Sequence, residues 1–215
     1  MYQDIQTALG NSHVMFYHPC LPRHLIRPVC DLKQSLDHVN ARLQEQGRLL
    51  DKWSPGDRNQ IARLLWVNWI FNNLKTEPIR KPILVHRQND RFVVDCGDTR
   101  LMALDLQQAD TGVKTVVTDR VGNRDLYSDW VPISSNQDLV SALEFADDSV
   151  ILFNQVSSDH CMDWLEIGDQ STAHHLHDED FRVRMIGNYL EHAPRDFKFD
   201  HVWVRSCIDW LAYDK

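Results

Sequence analysis

Residues 81 to 106 constrain this chain more than any other stretch. Lys81-Pro82-Ile83-Leu84-Val85 is a proline-led apolar run, and Arg91-Phe92-Val93-Val94-Asp95 is a second one. Between them Gln88-Asn89-Asp90 reads as a three-residue turn, a length that suits a hairpin. Cys96-Gly97-Asp98-Thr99-Arg100 then breaks the strand pattern and opens a helix predicted from Asp98 to about Gln108, with Leu101, Met102, Ala103 and Leu104 as apolar positions. Val113 to Thr118 is β-branched and predicts another strand. Strand, hairpin, strand, glycine turn, helix, strand is a pattern for an α+β fold around a small mixed sheet with packed helices.

The flanking segments fill in that plan. Residues 1 to 30 read as irregular, with Pro19, Pro22 and Pro28 as breakers. Asp31 is placed to cap a helix running to about Leu50, with Leu32, Leu36, Val39 and Leu43 on one apolar stripe and Gly47 weakening its last turn. Ser54 as N-cap, Pro55 at the first helical position and Asp57 in the first turn predict a second helix over residues 54 to 74. Ile61, Leu64, Leu65 and Trp69 face inward there. Trp66 and Val67 widen the apolar surface, so this tryptophan-rich helix is either central or a surface for a second copy or a protein partner.

Further along, Asn136 is placed to cap a helix from Gln137 to Phe145. Val150-Ile151-Leu152-Phe153 and Trp164-Leu165-Glu166-Ile167 predict strands. Asp178 to His192 predicts a helix that stops before Pro194, and Val202-Trp203-Val204 reads as a last strand. The expected organisation is an N-terminal segment and helix over 1–54, a core over 55–125 and an additional α/β portion over 126–215.

Composition excludes several classes. The 215 residues are 43% hydrophobic and 25% charged, which is ordinary for a folded protein. No apolar run approaches the roughly 20 residues needed to cross a bilayer. Met1-Tyr2-Gln3-Asp4-Ile5 lacks the basic and apolar regions of a signal peptide. The formal charge of -8 argues against an extended grip on duplex DNA, which needs clustered Lys and Arg, and leaves room for a local patch or a small nucleotide. Five cysteines without a CxxC pair argue for reduced thiols in a cytoplasmic setting.

The chemistry is concentrated at Gly97, Asp98, Thr99 and Arg100. Backbone N–H groups at a first helical turn are unpaired and carry partial positive charge, which suits a phosphate. Arg100 adds a planar, permanently charged fork, and Gly97 permits close approach of the backbone. Asp98 is then either a cap or a ligand for Mg²⁺ bridging to phosphates. A purely structural turn, with Asp98 as cap and Arg100 paired to a surface acid, has the same residues.

The capped helix, the Pro82-Ile83 strand, the hairpin and the Gly97-Asp98-Thr99-Arg100 turn together resemble the N-terminal domain of the ParB/sulfiredoxin superfamily over residues 55 to 120. The ParB branch carries a glycine-acid-arginine-arginine motif at this turn. Thr99 stands here where that motif has its first arginine. The sulfiredoxin branch has its catalytic cysteine at the position of Asp98, so sulfinic-acid reduction is not implied. His18-Pro19-Cys20-Leu21-Pro22-Arg23 is faintly similar to the family's entry segment. No helix-turn-helix follows the motif, and the resemblance stops near residue 125. It implies a nucleoside triphosphate, CTP or ATP, bound with Mg²⁺ at residues 97 to 100, with slow hydrolysis or a conformational switch in a nucleic-acid-related process such as those of phages and plasmids. Two alternatives stay open. One is a metal-dependent nuclease or phosphotransfer enzyme using Asp95, Asp98 and Glu77. The other is a protein-interaction module without ligand.

Two further clusters carry weaker signals. His174, His175 and His177 with Asp178, Glu179 and Asp180 could ligate a metal, yet suit a solvated loop and an acidic first helical turn equally. Asp159, His160, Cys161 and Asp163 contain the elements of a thiol nucleophile, but adjacent residues rarely orient correctly for one.

Overall fold

Strands and helices separate along this chain. The computed structural model describes residues 14–75, 82–108, 112–119, 124–133 and 179–211. The chain divides into two units, each assembled from three stretches: Met1–Val29, Ile79–Asp98 and Asp110–Glu166 in the first, Cys30–Pro78, Thr99–Ala109 and Ile167–Lys215 in the second. All described strands belong to the first unit. The described helices belong to the second, apart from Asp98 at the start of one of them. The protein is α+β, with a six-stranded mixed sheet and five α-helices among the described residues.

The strands are β1 (Val14–Leu21), β2 (Ile26–Arg27), β3 (Ile83–Gln88), β4 (Arg91–Cys96), β5 (Val113–Asp119) and β6 (Val131–Ile133), in the spatial order β2-β4-β3-β5-β1-β6. β3 and β4 form the predicted antiparallel hairpin. Gln88 pairs with Arg91, so the turn holds two residues, Asn89 and Asp90, rather than the expected three. Asn89 takes the turn's positive φ of 56°, which asparagine tolerates better than most residues. β3 runs parallel to β5, with Ile83 opposite Thr115 and Val85 opposite Val117. A parallel pair needs a long crossover, and the chain supplies it through β4 and the helix that follows.

Residues 14 to 21 correct the expectation of an irregular N-terminal segment. β1 lies inside the sheet, antiparallel to β5 on one side and β6 on the other. Met15, Phe16 and Tyr17 are all buried, so this strand is an unbroken apolar run without alternation. The prolines disguised it. Pro19 falls in the stretch after His18 where the register with β5 shifts, so its missing N–H removes no regular ladder bond.

One face of the sheet carries an aromatic group. Phe16 stacks on Tyr127 at 4.5 Å, and Trp130 meets His18 and Phe92, each at 5.1 Å between centroids. Tyr127 sits on the short 3₁₀ turn Arg124–Tyr127, whose Leu126 carbonyl accepts a 3.3 Å bond from Arg87 of β3.

In the second unit, α1 (Leu32–Gln46) starts at Asp31 with a capping box. The Asp31 carboxylate accepts from the Gln34 N–H at 2.7 Å, and the Gln34 side chain accepts from the Asp31 N–H at 3.2 Å. It ends four residues earlier than the apolar pattern suggests. Gly47 takes a φ of +73° and stops it, and Leu50–Lys52 form a separate 3₁₀ turn. α2 (Pro55–Asn73) starts as predicted, with the Ser54 hydroxyl accepting from the Asp57 N–H. Donation by the Ser54 hydroxyl to Asp57, helped by His38 at 2.9 Å, holds that carboxyl below its usual range. α3 (Asp98–Gln107) and α4 (Glu179–His192) also match their predicted ranges closely.

The last element differs. Val202-Trp203-Val204 is not a strand but the first turn of α5 (His201–Leu211). Asp200 decides the matter: its carboxylate accepts from the Trp203 N–H at 2.8 Å and its carbonyl from the Val204 N–H at 3.0 Å. Burial follows the helical period, with Trp203, Val204 and Cys207 inside and Val202 70% exposed. The core of this unit combines Leu36, Val39, Leu64, Trp69, Met102, Leu190, Phe199 and Trp203, among others. Trp69 is buried in it and Trp66 packs against it partly exposed. Among the described residues no helix is long and apolar enough to cross a membrane.

The helix predicted at 137–145 and the strands predicted at 150–153 and 164–167 lie outside the described residues.

Candidate functional site

The predicted turn forms where the sequence places it. β4 ends at Cys96, Gly97 takes a φ of +116°, and α3 begins at Asp98. That φ is open to glycine and strained for any residue with a Cβ, so Gly97 has a backbone reason to be there. The bend lets an extended strand give way to a helix within one residue. It leaves the first N–H groups of α3 without partners inside the helix.

The four candidate residues occupy different environments. Gly97, Asp98 and Thr99 are half-buried. The Asp98 carboxylate accepts the Val29 N–H at 3.1 Å, a contact across 69 residues that ties the turn to the chain just after β2. Arg100 is only 5% exposed, one of the few charged or polar side chains buried among the described residues, and it is engaged within the protein. Its guanidinium therefore lies beneath the surface, with Thr99 beside it as the accessible side chain.

The residues considered for metal chemistry are not gathered at this turn. Asp95 is paired with His86, Oδ1 to Nδ1 at 2.7 Å, on the β3–β4 hairpin. Among the described residues no group of three or more His, Cys, Asp or Glu side chains is arranged to hold a metal ion. Glu77, the histidines at 174, 175 and 177, Asp178, and residues 159 to 163 lie outside the described residues. Asp180 is exposed in the first turn of α4.

Sequence reasoning passed over the other end of the hairpin. Arg27, Gln88, Asn89, Asp90, Arg91 and Val93 line a surface hollow of about 360 Å³. The signal was present in β4, where alternation puts Arg91, Val93 and Asp95 on one face and Phe92, Val94 and Cys96 on the other. Arg27 carried no signal, because nothing local marks residues 26 and 27 as a strand.

No protein-family model matches this sequence, and no curated protein matches it.

Proposed function

We propose that this chain is a ParB-like nucleotide-binding protein that holds a nucleoside triphosphate, CTP or ATP, at the turn from Gly97 to Arg100, in a nucleic-acid-related or regulatory role. The observation that carries this reading is the φ of +116° at Gly97 directly before α3, within the order β3, hairpin, β4, turn, α3, β5. The first turn of a helix has N–H donors without intrahelical partners, and phosphate oxygens are natural acceptors for them. In this reading the backbone of residues 97 to 99 makes the direct contacts, and Arg100 adds its positive charge. Mg²⁺ is commonly bound through one or two carboxylates plus the nucleotide's own phosphates. In this reading Asp98 is the carboxylate that would hold it, and since it already accepts the Val29 N–H, the phosphates would supply most of the ligands.

The test is a thermal-shift series with CTP and ATP at millimolar Mg²⁺. Binding to the native state alone raises its stability by about 2.7 kcal/mol at a hundredfold excess over Kd. A melting temperature unmoved by both nucleotides overturns the reading.

The burial and engagement of Arg100 favour a second reading, a protein-interaction module that keeps the turn without a ligand. It predicts the unmoved melting temperature.

A further inference from the structure

The hollow at the tip of the β3–β4 hairpin lies at the opposite end of β4 from Gly97. Gly97 lies six positions beyond Arg91, about 20 Å along an extended strand at about 3.3 Å per residue. It is thus a feature separate from the turn.

Its chemistry follows from register. Arg27 of β2 pairs with Val93 of β4, and Val93 pairs with His86 of β3. Residues opposite one another in a sheet project from the same face, so Arg27, Val93 and His86 form one row. Arg91, two residues before Val93, is on that face as well, paired with Gln88. Two arginines from different strands therefore flank one hollow, with the Gln88 and Asn89 side-chain amides as further donors. Neither the Arg27 nor the Arg91 side chain has an ion-pair or hydrogen-bond partner among the described residues.

Among the described residues, three carboxylates lie on β4 or within two residues of its ends, and they differ. Asp95, on the same face, is taken up by His86 at 2.7 Å. Asp98 is engaged by Val29 beyond the far end of β4. Asp90, in the hairpin turn, is the one acid among the described residues that line the hollow, against two guanidiniums. The turn is itself fixed: Arg87 Nε donates to the Asn89 carbonyl at 3.0 Å, and Arg87 Nη1 donates to Leu126.

We infer that this hollow binds a compact phosphate-type oxyanion, with Arg27 and Arg91 as its two forks. Guanidinium matches phosphate oxygens in a bidentate way that an ammonium does not. The volume of about 360 Å³ admits a phosphate with a small substituent. The site is open to solvent, so its affinity falls as ionic strength rises.

Inorganic phosphate and pyrophosphate, titrated by calorimetry and by ¹H–¹⁵N NMR at low salt, test this. Four proteins are compared: the wild type, Arg27→Ala with Arg91→Ala, a control with the same charge change, Arg195→Ala with Lys198→Ala on the exposed surface of the other unit, and Thr99→Glu at the Gly97 turn. The expected result is saturable binding that moves the amide signals of residues 88 to 93. The first pair of substitutions weakens it about tenfold or more, as losing hydrogen bonds to charged groups implies. The control and Thr99→Glu keep it. Absence of binding, equal loss in the control, or binding unchanged without Arg27 and Arg91 overturns the proposal. Loss in Thr99→Glu alone assigns the anion to the Gly97 turn and overturns it too. Circular dichroism checks that each variant is folded, and Arg27→Gln with Arg91→Gln replaces the alanine pair if that pair is not.

Discussion

Asn40 and Phe199 are held together by two hydrogen bonds in opposite directions. Asn40 Nδ2 donates to the Phe199 carbonyl at 2.8 Å, and Asn40 Oδ1 accepts from the Phe199 N–H at 2.8 Å. A side-chain amide thus completes the backbone of a buried residue 159 positions away, just ahead of α5. Arg48 does similar work at the end of α4, donating to the carbonyls of Leu190, Ala193 and Pro194.

Asn40→Ala leaves both Phe199 groups without partners. The expected loss is about 2 to 4 kcal/mol, two net hydrogen bonds plus the penalty for stranding them. Asn40→Asp keeps the acceptor but turns a carboxylate toward a carbonyl. At pH 7 it should lose at least as much as Asn40→Ala, and recover as the acid is protonated. Urea unfolding at pH 7 and pH 4 measures both.

Two glycines should respond oppositely to alanine. A Cβ on Gly112 would stand 2.8 Å from the Cys20 carbonyl oxygen and 2.1 Å from its sulfur, so backbone must move. Overpacking of this kind costs about 1 to 3 kcal/mol. Gly187, inside α4, has open space where its Cβ would go. Gly187→Ala should stabilise the protein by up to about 1 kcal/mol, the difference in helix propensity. Thermal melts of the two variants, read against the wild type, should shift in opposite directions.

Much of this architecture is legible locally. Asp31, Ser54, Pro55 and Gly97 each specify a helix boundary through their own backbone or side-chain chemistry, and the hairpin shows in the pairing of two apolar runs. What escaped depends on distant partners. β1 carries prolines that look like loop residues until the register with β5 shows where they fall. Val202-Trp203-Val204 has the side chains of a strand, and only the Asp200 cap makes it a helix. At the candidate turn the glycine could be read, while the burial of Arg100 could not, because burial is a property of the whole fold.

Tyr127 gives a prediction at high pH. Burial first, and then Asp119, which also hydrogen-bonds it, push its phenol up to about 12. An unfolded tyrosine ionises near pH 10. Between these values the unfolded chain has lost the proton and the folded one has kept it. This contribution to stability is complete below pH 10 and is lost as pH rises toward 12. Tyr127→Phe should flatten that part of the stability profile, and absorbance titration at 295 nm should lose a step near pH 12.

The central claim is that phosphate binds at the turn after Gly97, and Thr99→Glu probes it most directly. A glutamate in the first turn of α3 favours the positive helix end, so the fold should hold. The same charge repels phosphate at that spot. Calorimetric titration of CTP and ATP at millimolar Mg²⁺ should give saturable binding to the wild-type protein and none to a fully folded Thr99→Glu variant. No binding to the wild type, or equal binding to both, would contradict the account.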